Sequence, residues 1–219
     1  MINEIICTLE KEGFSARCYP GTRGDKRAVI CAAQEGFTDA FDFLRDAGYT
    51  VLGLDMTRQC NSVSVDRVQQ AMCWLKARYD IDQIAVTGTS LGGQYALLAA
   101  SLIPGIACVI PVAPFDYICR DLLYTRHGLN LPYTAVQHSA LRKQIEYNEM
   151  SRIPYQNMKS DILLLGVRND EFWPSCEAVS RIENRLREIK YSYRMETHIC
   201  DCSAQIESSH KRIIDFLDT

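Results

Sequence analysis

The clearest chemistry in this sequence lies in five residues, Gly88-Thr89-Ser90-Leu91-Gly92, a G-x-S-x-G segment. A serine hydroxyl attacks a carbonyl only when it stands clear of the backbone, beside a base, with donors waiting for the negative charge that forms. A sharp strand-to-helix turn presents it that way, but the turn crowds its neighbours, so the flanking residues must be tiny. Gly88 and Gly92 supply that room, and Gly93 permits a helix to pack close to a sheet. The same turn aims the N–H of Leu91 at the developing oxyanion. The competing reading is a glycine-rich turn with an incidental serine. A nucleotide loop fits worse, because no Lys follows the glycines and G-x-G-x-x-G does not fit.

The serine needs three helpers. A second oxyanion donor is expected from the loop after the strand ending near Ala33, as the N–H of Gln34, with Glu35 the near alternative. The acid is expected after the apolar run 161–167, which makes Asp170 the candidate and Glu171 the second choice. A base is expected a few residues beyond the last strand, near Cys202–Ile206, but that stretch holds no histidine. His127 and His138 lie out of chain order. His198 serves only if the last strand ends by Thr197, and His210 falls in the first turn of the last helix. Three outcomes stay open: His210, His198, or no catalytic histidine.

The elements that must position these residues follow from hydrophobic periodicity. Strands are expected at 13–20, 27–33, 49–54, 83–87, 106–112, 161–167 and 191–200. Val65, Val68, Met72, Leu75 and Tyr79 recur at helical spacing, as do Val179, Ile182, Leu186 and Ile189. Phe37, Phe41 and Leu44 mark a helix that Gly48 stops, Leu91–Leu102 a buried helix, and Ser208–Leu217 a last one. Strands alternating with helices predict an α/β protein with a mostly parallel sheet covered on both faces, and ligands then gather at the carboxyl ends of the strands. The stretch 115–155 breaks the rhythm and reads as a short helical, cap-like insert in one domain spanning 1–219. Its Phe115, Tyr117, Tyr124, Tyr133 and Tyr155 either cover an acyl pocket or pack the cap itself.

Composition narrows the function. A net charge of −3 without a basic cluster argues against nucleic acid. Residues 91–115 carry no charge, yet Pro104-Gly105 cuts them, so no membrane span is expected. Ten cysteines with no export signal at the start predict free thiols and a cytoplasmic protein. Cys200 and Cys202 flank no fourth ligand with His198, and no metal or cofactor is expected.

The segment Ile153–Ser175, IPYQNMKSDILLLGVRNDEFWPS, resembles the acid region of the acyl-CoA thioester hydrolase and bile-acid-CoA:amino-acid N-acyltransferase C-terminal domain family. Ala28–Phe37, Ala40–Asp55 and Gly88–Ala100 resemble its early strand–helix–strand and its serine turn. Dienelactone-hydrolase-like proteins share the pattern. The resemblance implies an α/β-hydrolase fold and a serine hydrolase acting on a small ester or acyl thioester. The alternative, drawn from the missing loop histidine, is an impaired member that binds a small ligand or a partner.

Overall fold

Runs such as Arg27–Ala33 and Asp161–Val167, apolar on both faces of the pleat, can be satisfied only inside a sheet covered on both sides. In the computed structural model they form its centre. The structure describes residues 4–24, 26–33, 39–56, 62–118, 123–133, 151–201 and 209–219. In chain order the elements are β1 (Ile5–Cys7), α1 (Leu9–Glu12), β2 (Ala16–Tyr19), β3 (Arg27–Ala33), α2 (Asp42–Asp46), β4 (Thr50–Asp55), β5 (Ser62–Ser64), α3 (Asp66–Arg78), β6 (Gln83–Thr89) and α4 (Leu91–Leu102). They continue with β7 (Cys108–Val112), β8 (Leu123–Arg126), β9 (Leu129–Asn130), β10 (Asp161–Val167), α5 (Ser175–Glu188), β11 (Met195–Cys200) and α6 (His210–Leu217).

Eight strands join in the order β1-β2-β4-β3-β6-β7-β10-β11. The first two pairings are antiparallel and the rest parallel. The order reverses between β3 and β6, which lie side by side with Ala32 opposite Gly88. That reversal makes the crevice at their carboxyl ends the place where such sheets bind ligands. One face carries Ile30, Ile84, Val86 and Leu164 against α3, α4 and α5. The other carries Val29, Cys31, Leu163 and Leu165 against α2 and α6.

Helix α4 is buried almost all round, as its apolar sequence requires. Its polar Gln94 is fully buried, and its amide is satisfied by the Tyr117 carbonyl and, at 2.8 Å, by the Tyr124 hydroxyl. Gly48 ends α2 with φ 84° and donates to the Arg45 carbonyl at 2.8 Å.

Two expectations are corrected, and one open alternative is narrowed. The insert is not purely helical: β8 pairs with β5 on one side and β9 on the other in a small second sheet, while 119–122 and 134–150 lie outside the described residues. Phe115, Tyr117, Tyr124 and Tyr155 are buried as packing between the insert and the core. The last strand starts at Met195 rather than Tyr191, because the chain is still leaving α5 there: Lys190 turns at φ 54° and the Tyr191 N–H donates to the Leu186 carbonyl at 3.0 Å. Among the described residues no helix is long and apolar enough to cross a membrane.

The described cysteines are free thiols. Burial pushes the Cys7 thiol up to about 11 and the Cys18 thiol to about 12. A thiol reacts as its thiolate, so in the native protein at pH 8 a disulfide reagent is expected to label exposed Cys73 and spare Cys7 and Cys18, which become reactive in guanidinium. Peptide mapping of the labelled sites checks this, and native labelling of Cys18 would contradict the packing of the β1–β2 edge.

Candidate active site

The turn after β6 is built by contact. A Cβ on Gly88 would stand 2.4 Å from the Gly92 carbonyl carbon, and one on Gly92 would stand 2.3 Å from the Ala32 oxygen. Neither position has room for a side chain. Between them Ser90 is held at φ 55° and ψ −114°. Such a conformation costs a non-glycine residue about 1–3 kcal/mol and persists only where its surroundings enforce it. Here the Ser90 N–H donates to the Val112 carbonyl at 2.9 Å, and the Ser90 carbonyl accepts from the Gln94 N–H at 3.0 Å. The side chain that emerges is exposed at the sheet edge. Leu91 opens α4, so its N–H has no acceptor within the helix. Gln34, the other expected oxyanion donor, lies outside the described residues.

Asp170 stands in the loop after β10, two strands from β6, a lateral separation of about 10 Å. Its Oδ1 accepts from the N–H groups of Phe172 at 3.0 Å and Trp173 at 3.1 Å. The carboxylate is thereby fixed by its own loop. Glu171 is exposed.

Trp173 anchors that loop. Its indole N–H donates to the Pro114 carbonyl at 3.1 Å. Its ring lies 4.4 Å from Phe115 and 5.7 Å from Tyr117, centroid to centroid, and Leu91 packs against the cluster. The acid loop, the segment after β7 and the first residue of α4 therefore form one packed block. A second strained residue adjoins it: Ala113, at φ 44°, donates to the Leu165 carbonyl at 2.7 Å. No sequence signal marks it, because a residue before proline favours extended backbone.

The histidines are placed unequally. β11 runs to Cys200, three residues beyond Thr197, so His198 sits inside the strand opposite Leu165. Its side chain follows the pleat towards the α6 face, on a strand about 14 Å from β6. The condition for His198 to serve, a strand that ends by Thr197, is not met. His210 opens α6, next to Ser209, whose Oγ lies 3.0 Å from the Cys200 sulfur at the end of β11. The His210 ring stacks on Phe43 of α2 with centroids 3.8 Å apart and planes 5° apart. His127 lies in the β8–β9 turn, its Nδ1 3.6 Å from Asp66, and His138 is outside the described residues. Among the described residues no imidazole is hydrogen-bonded to the Ser90 hydroxyl.

A serine on a strained strand-to-helix turn, at the reversal point of this strand order, defines an α/β-hydrolase-fold protein. Solved structures agree on the fold. An esterase of Pyrococcus furiosus superposes with a TM-score of 0.70 at 18% identity, over 100% of this chain and 90% of its own. A putative dienelactone hydrolase from Klebsiella pneumoniae gives 0.67 at 11% identity, over 98% and 97%. The acylaminoacyl peptidase of Pyrococcus horikoshii gives 0.69 at 14%, over 100% of this chain and 41% of its own. Comparison with curated protein sequences finds no match. Residues 63–200 match the family described as BAAT / acyl-CoA thioester hydrolase C terminal, and the chain belongs to that family.

Two stability outcomes follow. Gly92→Ala is expected to lower unfolding free energy by about 1–3 kcal/mol or more, through overpacking against Ala32. Gly93→Ala should cost less, because its nearest contact would be 3.1 Å and alanine's helix propensity offsets part of the strain. Urea unfolding midpoints of the two variants test the order. Separately, Asp170→Ala should destabilise by about 1–2 kcal/mol, whereas Asp170→Asn, which keeps an acceptor for both amides, should lose less. Equal losses in the same assay would show that the two hydrogen bonds do not hold the loop.

Proposed function

We propose that this protein is a serine hydrolase acting on a small ester or acyl thioester, with Ser90 as nucleophile and Asp170 as the acid. The observation that carries this reading is the enforced backbone of Ser90 between two glycines that admit no side chain. The strained turn seats α4 against the sheet and at the same time leaves Ser90 itself exposed.

In the proposed reaction the Ser90 oxygen bonds to the substrate carbonyl carbon as its proton passes to a base. The carbonyl oxygen, now negative, accepts from the N–H of Leu91, with Gln34 as the second donor. The tetrahedral intermediate collapses, the alkoxide or thiolate leaves with the proton held by the base, and water then releases the acyl group from Ser90. His210 is the base of choice, because α6 begins where the chain returns to the end of β11. Asp170, its Oδ1 tied to the loop, would offset the disfavour that a helix N-terminus imposes on an imidazolium. We place the protein in the cytoplasm, with its substrate a small molecule.

The Phe43–His210 stack favours a second reading, in which the cleft binds a small ligand or partner without turnover. A fluorophosphonate probe separates the two. The wild type is expected to label at Ser90, and Ser90→Ala not at all. His210→Ala should slow labelling and the hydrolysis of a short p-nitrophenyl ester by at least 100-fold. His198→Ala should leave both within about twofold. No labelling and no turnover of esters or thioesters by the wild type would establish the binding reading instead.

A further inference from the structure

The eight-stranded sheet ends in β1 on one side and β11 on the other. β1 has three residues, too few to template another chain, whereas β11 has six, Met195–Cys200, with no proline or lysine among them. The carbonyls of Arg194 and Cys200 accept from the N–H groups of Ile162 and Arg168, each at 2.8 Å. The even-numbered residues therefore turn their backbone groups towards β10, and the N–H and C=O of Met195, Thr197 and Ile199 point away from the sheet. Among the described residues no strand pairs with that outer edge. Proteins usually blunt such an edge with charge, a bulge or a proline. Here the one carboxylate in the strand, Glu196, is already answered by Arg194 at 2.5 Å and Arg212 at 2.9 Å.

The sequence of this edge complements itself. A two-fold axis through Thr197 sets Met195 against Ile199 and Glu196 against His198, each twice, and Thr197 against its own copy. On the α5 face, where Thr197 reaches Glu183, the apolar Met195 meets the apolar Ile199. On the α6 face, where Glu196 meets Arg212, the carboxylate faces an imidazole able to donate to it. The backbone agrees, because outward-turned residues then face outward-turned residues and exchange N–H···O bonds. Neighbouring registers lose these matches. An axis at Glu196 opposes two carboxylates and sets Arg194 against His198. One at His198 leaves Glu196 facing Cys200 and Met195 facing Asp201.

We propose that β11 is a dimerisation edge. Two copies of this chain pair their β11 strands antiparallel about Thr197 and continue one sheet across both. A ladder this short buries less than the about 1,200 Å² of a standard interface, so the dimer is a reversible one that forms as concentration rises.

Sedimentation velocity of the full chain, from about 1 μM to about 500 μM, tests this, and the wild type is expected to pass from monomer to dimer over that range. Thr197→Lys opposes two like charges at the axis, while Glu183 accepts the lysine within each copy. It should raise the dissociation constant about fivefold or more and, when dilute, melt as the wild type does. The register is read by a short bismaleimide in a Cys73→Ser background, which removes an exposed thiol. Thr197→Cys should give a linked dimer whose peptide map joins 197 to 197. Met195→Cys should not, because its two copies stand about 13 Å apart along the paired strands. Three outcomes overturn the proposal: a wild type that stays monomeric throughout, a dimer that Thr197→Lys leaves intact, or a link that forms as readily through Met195→Cys as through Thr197→Cys.

Discussion

The approach of the first turn of α4 to the Ala32 carbonyl sets what the rest of the molecule can be. A helix that leaves a central strand at so sharp an angle must pass its backbone within contact of the neighbouring strand, and Gly92 is where the two touch. The strain at Ser90 is the far side of that contact. Release it by widening the turn, and α4 loses its seat on β3 and β6, along with the core that Leu97, Leu98 and Tyr95 complete. Sheet order, buried helix and protruding hydroxyl are thus one geometric solution rather than three features.

The aromatic block of Phe115, Tyr117 and Trp173 passes this constraint to the acid loop. Asp170 is not placed by its own strand alone: its loop hangs on Trp173, Trp173 hangs on Pro114, and Pro114 follows the strand to which Ser90 is tethered. Gln94 extends the same rigidity outward. One buried amide joins α4 to Tyr117 and to the small sheet through Tyr124, so the described part of the insert is bolted to the helix behind Ser90. The mutual packing of these parts accounts for a precise site on what are otherwise loops.

Local sequence patterns revealed those parts whose causes are local. G-x-S-x-G fixed the serine turn because glycine is demanded by contacts within five residues and one neighbouring strand. The run 161–167 announced β10, and so the loop of Asp170, because both its faces are buried. The small sheet stayed hidden: Ser62–Ser64 and Leu123–Arg126 meet across about sixty residues, and neither is apolar enough to declare itself. The start of β11 is hidden because residues 190 and 191 still belong to the turn that leaves α5, with the Tyr191 N–H on the Leu186 carbonyl. The packing of His210 is not legible locally, since its ring lies on Phe43, more than 160 residues earlier. Ala113 carried no mark at all.

Helix α6 follows every strand of the sheet in the chain, yet Ile213, Phe216 and Leu217 are what cover Val29, Cys31, Leu163 and Leu165. Arg23 and Tyr49 reach it through Asp218, and Arg27 through the Leu217 carbonyl. During synthesis, which proceeds from the amino end, the share of this face that α6 covers stays apolar and open until this short segment emerges. The part of this face that α2 leaves uncovered therefore stays a site for aggregation until α6 emerges, and the step that closes it also brings His210 against Phe43.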